Sequence, residues 1–248
     1  MKLLRTLYWI IIAFLATLLG AFCLPVFWFL NITGCKSRRQ KLASRYAHWW
    51  GRTVLAATGS KVTVKGIKHI PPGPVVFMAN HLSIFDTMLL LGYIDKSVAF
   101  VAKKELARVP VVNSLMRHVG CLYLDRQDIR QAVEIINLAA EQVRNGLSMV
   151  IFPEGTRSQT GEMAEFKSGS MKLAMKAHVP IVPLRIQGTR NIYEGNGYRI
   201  RPSQISLLVS PPIMPGDYEE MGTNRVAKMV REMVEEGWQQ IALETGID

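Results

Sequence analysis

Residues 7–30 form an almost unbroken apolar run, and this run limits what the chain can fold into more than any other feature. Thr17, Gly20 and Pro25 are its only clear interruptions. A helix of this length, at about 1.5 Å per residue, is long enough to cross a bilayer. We therefore predict that this segment is a long helix that lies in a membrane.

The basic residues of the chain are concentrated around this apolar run. Residues 1–85 hold eleven lysines and arginines and no acid, whereas the rest of the chain holds 19 basic and 19 acidic residues. The net charge of +11 therefore belongs entirely to the N-terminal third. A basic, apolar segment is typical of a chain that binds anionic membrane lipids. No nucleic-acid-binding motif accompanies the charge, so we expect no nucleic-acid partner.

A second stretch, residues 38–57, carries Trp49 and Trp50 among basic residues and has the composition of an interfacial helix. The flank after the apolar run is more basic than the flank before it, which predicts that the globular part lies on the cytoplasmic face of the membrane. Both flanks are basic, however, so the pattern leaves open a through-span or a helical hairpin held in one leaflet. We predict two membrane-anchoring helices over residues 1–58 and a globular domain over residues 59–248.

From residue 61 onward, short apolar runs alternate with amphipathic stretches. The clearest helix is residues 128–145, in which Val133, Ile136 and Val143 fall on one apolar face. Strands that alternate with helices favour an α/β architecture with a largely parallel or mixed central sheet flanked by helices. The predicted strands cover residues 62–64, 74–79, 97–102, 120–124, 148–152, 181–186 and 205–209, and the predicted helices cover residues 83–93, 111–119, 128–145, 167–177 and 224–243.

A histidine and a carboxylate follow the predicted strand at residues 74–79. Residues five apart do not share a helix face, so His81 and Asp86 can meet only if His81 lies in the loop and Asp86 lies at the third position of the next helix. Ser83 is a suitable N-cap for that helix. An imidazole held by a carboxylate is the basic unit of general-base catalysis on a hydroxyl group. The alternative is a buried histidine near a strand end and an unrelated acid at a helix start.

Two arginines, Arg126 and Arg157, also follow predicted strands. Together they suggest a phosphate-binding site, because a guanidinium group matches phosphate oxygens in a bidentate way, although each could equally be a surface or ion-paired arginine. The turn that holds Arg157 adds Gly155, which allows close backbone approach to a ligand, and Thr156, which is a hydroxyl donor. Glu154 is unexpected beside a phosphate, so we interpret it as orienting Arg157 or binding a substrate hydroxyl.

The sequence does not suggest a metal or a nucleotide cofactor. The histidines are isolated from paired acids except at His81, the three cysteines are scattered, and no Walker or dinucleotide glycine pattern is present. Residues 179–184 are apolar and contain two prolines, which suits either a pocket wall or the protein core. Residues 188–190, Gly-Thr-Arg, could supply further donors, but this signal is weak.

Four of these stretches, in this order, match a known family. The chain resembles the membrane-bound glycerolipid acyltransferases, and most closely the 1-acylglycerol-3-phosphate acyltransferases. A lone His-x4-Asp stretch would be weak evidence, whereas four blocks in the right order are specific. Lys103 and residues 166–169 also match family positions, less specifically. The resemblance extends over about residues 61–212, and the four blocks are residues 80–86, 120–126, 152–158 and 179–184.

The resemblance implies that His81 removes the proton from the 2-hydroxyl of lysophosphatidic acid, and that Asp86 holds His81. The freed oxygen would attack the thioester of acyl-CoA or acyl carrier protein and give phosphatidic acid, with no cofactor, metal or covalent acyl-enzyme. Residues 59–248 would then be the acyltransferase domain. The substrate-binding residues that the resemblance implies are Lys103, Arg126, Glu154, Gly155, Thr156 and Arg157.

Two alternatives stay open on the sequence. The motifs constrain the reaction more than the acceptor, so the acceptor could be glycerol 3-phosphate, another lysophospholipid or an amino-acid-headed lipid. A lipid-binding membrane protein without catalytic activity would also suit the basic, apolar N-terminus. It gives no reason, however, for a histidine and a carboxylate in one stretch together with a glycine-threonine-arginine turn.

Overall fold

The computed structural model describes residues 2–125 and 128–245. The strands in this part of the chain are β1 (Lys61–Lys65), β2 (Val76–Ala79), β3 (Val98–Lys103), β4 (Leu122–Leu124), β5 (Ser148–Ile151), β6 (Ile181–Gln187) and β7 (Gln204–Val209). They form a seven-stranded sheet of order β1-β7-β6-β2-β5-β3-β4. Neighbouring strands run parallel except β6 and β7, which are antiparallel. The predicted α/β class with a largely parallel, mixed sheet is confirmed.

In the described part of the chain, four helices connect the consecutive strands from β2 to β6, because parallel neighbours need a long crossover connection, while two helices precede β1 and two follow β7. These helices are α1 (Lys2–Ile32), α2 (Lys36–Ala56), α3 (Phe85–Tyr93), α4 (Pro110–Val119), α5 (Ile129–Arg144), α6 (Lys172–Ala177), α7 (Pro215–Tyr218) and α8 (Thr223–Thr245). Helix α2 packs against α3, α5 packs against α6, and α8 packs against β6.

The centre of the sheet brings three loops to one edge. Strands β2 and β5 are buried over their whole length, which explains why their sequences are continuously apolar rather than alternating. Strand β2 lies between β5 and β6 and runs parallel to both. The loops that follow these three strands therefore leave the same edge of the sheet, where α/β proteins usually build their sites. Those loops carry His81, Glu154 and Thr189.

The N-terminal region forms two helices, as predicted, and they pack on each other and on the domain. The Tyr46 hydroxyl on α2 donates to the carbonyl of Ala16 on α1 at 2.7 Å, and the Trp50 indole donates to Thr17 Oγ1 at 3.1 Å. Helix α1 is long and apolar enough to cross a membrane, and most of its large side chains are exposed. An exposed apolar surface of this length indicates membrane association.

The helix predicted to begin at Ser83 begins two residues later, at Phe85. Its N-cap is Ile84, so Asp86 is the second helical residue rather than the third. Ser83 still serves the helix start, because its hydroxyl oxygen accepts the backbone N–H of Phe85 at 3.2 Å. Asp86 remains in the first turn, where a carboxylate is favoured by the helix dipole.

Other boundaries also differ from the predicted ones. Gly120 belongs to the end of α4, where its left-handed conformation (φ 101°) caps the helix, and β4 begins at Leu122. Residues 168–171 form a 3-10 turn, and α6 begins at Lys172. Residues 179–184 lead into and form most of β6, whose buried side chains belong to the core of the sheet.

Candidate active site

His81 and Asp86 are in direct contact. His81 Nδ1 lies 2.8 Å from Asp86 Oδ2, with His81 in the loop after β2 and Asp86 in the first turn of α3. The side chain of Asp86 is fully buried and that of His81 is 12% exposed. The chain therefore curls back between the two residues, as the sequence predicted.

Asp86 is held by donors from two separate loops. Its Oδ2 accepts the backbone N–H groups of Leu82 at 2.6 Å and Ser83 at 2.9 Å, in addition to the contact with His81. Its Oδ1 accepts the hydroxyl of Thr189, which follows β6, at 2.6 Å. A buried carboxylate needs such partners to offset its loss of hydration. The arrangement fixes the carboxylate rigidly beside the imidazole.

The contact with Asp86 determines which nitrogen of His81 is available for chemistry. A carboxylate accepts hydrogen bonds and does not donate them, so the hydrogen-bond network assigns the proton of neutral His81 to Nδ1. Nε2 is then the unprotonated nitrogen, and it can take a proton from a hydroxyl group. Asp86 would also stabilise the imidazolium ion that this transfer creates.

Phe152 and the turn after β5 hold His81 on its other sides. The two rings are stacked, with centroids 4.0 Å apart and an interplanar angle of 13°. The backbone carbonyl of His81 accepts the N–H of Ser158 at 2.8 Å. Phe152 did not stand out as a site residue in the sequence. Its position shows that the imidazole is fixed by packing as well as by hydrogen bonds.

Glu154 has a different role from either of those predicted. Its Oε1 accepts the backbone N–H of His81 at 2.6 Å, and its Oε2 accepts the backbone N–H of Ala164 at 2.9 Å. The residue is only 4% exposed, so it is not presented to a substrate hydroxyl. It does not orient Arg157 either, because Arg157 pairs with Glu194. Glu154 instead ties the loop that carries His81 to the turn after β5.

Burial raises the pKa of the Glu154 carboxyl above its usual value, although the two backbone N–H groups act in the opposite direction. A raised pKa in the folded state means that this group's stabilising contribution is complete below the unfolded pKa of about 4.3 and is lost as the pH rises through the folded pKa. We therefore expect the melting temperature of Glu154→Gln to rise relative to wild type as the pH increases from about 4.3. Thermal unfolding of both proteins in detergent, from acidic to neutral pH, measures this difference.

Glu141→Gln is the matched control for this prediction, because Glu141 is an exposed acid on α5. Its melting temperature should follow that of wild type at every pH. A Glu154→Gln protein that loses stability relative to wild type as the pH rises would contradict the assigned direction of the pKa.

Two of the predicted cations line the same cavity as His81. Lys103 ends β3 and Arg157 follows β5, and these strands are neighbours in the sheet. Arg157 Nη1 donates to Glu194 Oε1 at 2.7 Å, and Lys103 Nζ lies 3.1 Å from Glu105 Oε1. Both cationic side chains are about half exposed, so they are accessible to a ligand. Arg126, the third predicted cation, lies outside the described residues.

The neighbouring residues Thr156 and Gly155 have different places in the structure. Thr156 lines the cavity beside His81 and Arg157. Gly155 has a φ of 75°, and a side-chain carbon there would lie 2.8 Å from Lys167 Nζ. Glycine is favoured at this position by the left-handed backbone, whereas the flexible Lys167 side chain could move aside. Gly155 is not among the described residues that line the cavity.

The cavity itself has a volume of about 550 Å³ and is mainly apolar. It extends from His81 to side chains of α2, α3, α4 and β3. Helix α1 contributes Thr17, so the cavity reaches the membrane-associated helices. The cavity combines apolar walls with cations beside a histidine that is paired with a carboxylate. This combination suits an amphiphile that has an anionic headgroup and a hydrocarbon chain. Apolar lining residues from these elements include Ala47, Trp50, Leu91, Val101 and Leu115.

Two polar residues of the site were missed or undervalued in the sequence. Thr189, which holds Asp86, belongs to the Gly-Thr-Arg stretch that gave only a weak signal. Glu194, which contacts Arg157, gave no signal, because its partners lie 37 or more residues away in the chain.

Comparison with known proteins agrees with this geometry. The family model described as Acyltransferase matches residues 61–187, slightly more than half of the chain. A 1-acyl-sn-glycerol-3-phosphate acyltransferase from Cocos nucifera is 32% identical over 193 residues, which cover 77% of this chain and 62% of that protein. A probable 1-acyl-sn-glycerol-3-phosphate acyltransferase from Mycoplasma genitalium is 30% identical over 212 residues, which cover 81% of this chain and 77% of that protein.

A solved structure is also similar over almost the whole chain. The crystal structure of the 1-acyl-sn-glycerophosphate (LPA) acyltransferase PlsC from Thermotoga maritima superposes with a TM-score of 0.79 at 28% sequence identity. The superposition covers 96% of each chain. Residues 61–187, which the family model matches, include His81, Asp86 and the turn after β5. The chain therefore belongs to the acyltransferase family.

Proposed function

We propose that this protein transfers an acyl group from a thioester donor to the 2-hydroxyl of lysophosphatidic acid, which makes phosphatidic acid for phospholipid synthesis. The observation that carries the proposal is the His81–Asp86 pair, 2.8 Å apart, at the start of an apolar cavity that Arg157 and Lys103 also line. The activities for which the Cocos nucifera and Thermotoga maritima relatives are named support the same reaction.

In the proposed reaction, His81 Nε2 takes the proton of the acceptor hydroxyl as the oxygen attacks the thioester carbonyl. The carbon–oxygen bond forms, the carbon–sulfur bond of the tetrahedral intermediate breaks, and the thiolate leaves with the proton returned from the imidazolium. Asp86 stabilises the imidazolium ion in both steps. The products are the acylated acceptor and the free thiol of CoA or acyl carrier protein. No further cofactor or metal enters this scheme.

The acceptor phosphate is assigned to the cationic side of the cavity. Arg157 and Lys103 would hold its oxygens, with Arg126 as a further cation, and Thr156 would donate to the acceptor. These contacts would place the neighbouring glycerol hydroxyl beside His81. Glu154 and Gly155 act indirectly in this scheme, because they shape the backbone that holds His81 and Arg157.

The N-terminal helices give the site access to its lipid substrates. We propose that residues 1–58 anchor the acyltransferase domain, residues 59–248, at the cytoplasmic face of a membrane that contains anionic lipids. The exposed apolar side chains of α1 and the basic residues of α2 support this placement. A lipid acceptor could then enter the cavity from the bilayer without crossing water.

We propose that the apolar cavity holds the acyl chain of the thioester donor. A larger side chain in the cavity should therefore make the enzyme prefer donors with shorter acyl chains. Ala47 lines the cavity from α2 and is 7% exposed. We expect Ala47→Leu to lower kcat/KM for a palmitoyl donor about tenfold relative to a decanoyl donor, because even one methylene in an apolar pocket changes specificity by this order. Initial rates with the two donors, at a fixed acceptor concentration, give the ratio.

Ala56→Leu is the control for chain length, because Ala56 is exposed near the end of the same helix and does not line the cavity. It should keep the wild-type ratio of the two donors. An Ala47→Leu protein with the wild-type ratio would remove α2 from the acyl-chain site.

The acceptor is tested with a panel of hydroxyl compounds. Purified protein in detergent is given one labelled acyl thioester and, separately, lysophosphatidic acid, glycerol 3-phosphate or lysophosphatidylcholine, and products are separated by thin-layer chromatography. We expect labelled phosphatidic acid and much weaker transfer to the other two. Preferential transfer to glycerol 3-phosphate or to lysophosphatidylcholine would show that the preferred acceptor is that compound and not lysophosphatidic acid. Absence of acyl transfer to every acceptor would contradict the enzymatic proposal and favour lipid binding alone.

A further inference from the structure

Glu194 connects the start of α3 to Arg157. Its Oε2 accepts the hydroxyl of Ser83 at 2.6 Å, and its Oε1 accepts the backbone N–H of Ile84 at 3.0 Å. The same Oε1 also accepts Arg157 Nη1 at 2.7 Å. One carboxylate therefore contacts both the segment between His81 and Asp86 and the cation assigned to the acceptor phosphate.

The two members of the Glu194–Arg157 pair differ in how firmly they are held. The side chain of Glu194 is 13% exposed, whereas that of Arg157 is 43% exposed. A carboxylate largely removed from water is fixed by its contacts with Ser83 and Ile84. A half-exposed arginine has many accessible rotamers unless a partner selects one. Glu194 is thus the fixed member of the pair, and Arg157 is the member whose orientation depends on it.

We propose that Glu194 is a positioning residue that holds Arg157 in the orientation that receives the acceptor phosphate. This inference rests on the proposed function. A guanidinium group has five N–H donors, and one of those on Arg157 is donated to Glu194. Among the described residues, no protein acceptor takes the others, so they are available to a ligand. Glu194 acts on binding of the phosphate through Arg157 and does not touch the reacting atoms.

A purely structural role for Glu194 makes a different prediction. If Glu194 served only to fix the start of α3, its loss would disturb Asp86 and His81, and kcat and stability would fall. If it positions Arg157, its loss should raise the apparent KM for the acceptor, while kcat changes much less. Glutamine separates these roles, because it keeps the shape of the side chain and one acceptor oxygen for Ile84 and Arg157, but lacks the charge that strengthens the bond to a guanidinium group. Its amide N–H would face the hydroxyl of Ser83, whose oxygen can accept it.

The test is a double-mutant cycle on the apparent KM for lysophosphatidic acid. Glu194→Gln, Arg157→Ala and the double variant are compared with wild type at a saturating acyl donor concentration. We expect Glu194→Gln to raise KM about tenfold, the order of effect for one charge-assisted hydrogen bond. Arg157→Ala should raise KM at least as much, and the double variant should be no worse than Arg157→Ala alone. Glu141→Gln removes an exposed charge on α5 and should leave KM unchanged.

Either of two results would overturn the inference. The first is a wild-type KM in Glu194→Gln, and the second is a double variant in which the two effects multiply. Glu194→Asp keeps the charge on a shorter side chain and is the variant to measure if the glutamine variant folds poorly. Its KM for lysophosphatidic acid should lie between the values of wild type and Arg157→Ala. The proposed function is tested separately in the same series, because it depends on product formation by wild type rather than on a ratio of KM values.

Discussion

Replacing His81 with alanine is expected to lower kcat for acyl transfer at least about a thousandfold, which is within the range that a general base contributes. The reason is that, among the described residues that line the cavity, His81 is the only histidine, aspartate or glutamate. The imidazole makes one side-chain hydrogen bond, to Asp86, and is otherwise held by stacking on Phe152. Its loss should therefore leave the fold and membrane binding intact. Release of free thiol from acyl-CoA in the presence of lysophosphatidic acid measures the activity, and sedimentation with anionic vesicles measures membrane binding.

His178→Asn is the matched control for His81. His178 is an exposed histidine at the end of α6 with a φ of 52°, and asparagine tolerates this left-handed conformation better than alanine does. The control should keep wild-type activity. Retention of more than a few per cent of activity in His81→Ala would overturn the assignment of the base.

Replacing Asp86 with asparagine should lower kcat by about three to four orders of magnitude, by analogy with other carboxylate–imidazole pairs. A neutral amide would stabilise the imidazolium less and would allow the wrong tautomer of His81. The asparagine amide would also either bring an N–H group against the N–H donors of Leu82 and Ser83 or, when flipped, force the hydroxyl of Thr189 to turn from donor to acceptor. Because Asp86 is fully buried, this mismatch should also lower the melting temperature.

Steady-state kinetics and thermal unfolding of the same Asp86→Asn preparation separate the two effects. Measured below its melting temperature, the folded variant should still show the loss in kcat, with a smaller change in the acceptor KM. Asp95→Asn, at an exposed position after α3, is the control and should match wild type in both measurements. A folded Asp86→Asn protein with wild-type kcat would show that Asp86 has no role in catalysis.

The contact between His81 and Asp86 could be predicted from the sequence because it is local. Only four residues separate the two, and a strand followed by a helix leaves few ways for the loop between them to turn. The exact helix start was less predictable. Ser83 is a good N-cap residue, and its hydroxyl oxygen does accept the backbone N–H of Phe85, but the helix itself begins at Phe85.

The partners of Glu154 and Glu194 could not be predicted in the same way. Glu154 contacts the backbone of His81, 73 residues earlier, and Glu194 contacts Ser83, 111 residues earlier. These contacts depend on the order of strands in the sheet, which places β2 between β5 and β6. Local patterns indicate strands but not their order, so the sequence indicated a carboxylate near the site without its partner.

The order of the sheet also limits what could be predicted about the fold. Alternating strands and helices correctly indicated a largely parallel sheet. The antiparallel pairing of β6 with β7 follows a connection made of two short 3-10 turns, which left no periodic signal. That same connection carries Thr189 and Glu194, so the part of the fold that was hardest to predict also holds the residues that were missed or undervalued.

Direct transfer of the acyl group to the acceptor, with His81 as the base, is tested most directly by a single-turnover experiment. Purified protein is mixed with a thioester donor labelled in the acyl group, with and without lysophosphatidic acid, and the label is followed in protein and in lipid. We expect labelled phosphatidic acid and an equal amount of free thiol when both substrates are present, with no label on the protein at any time. Label that first appears on the protein and then passes to the lipid, or transfer that continues in His81→Ala, would contradict it.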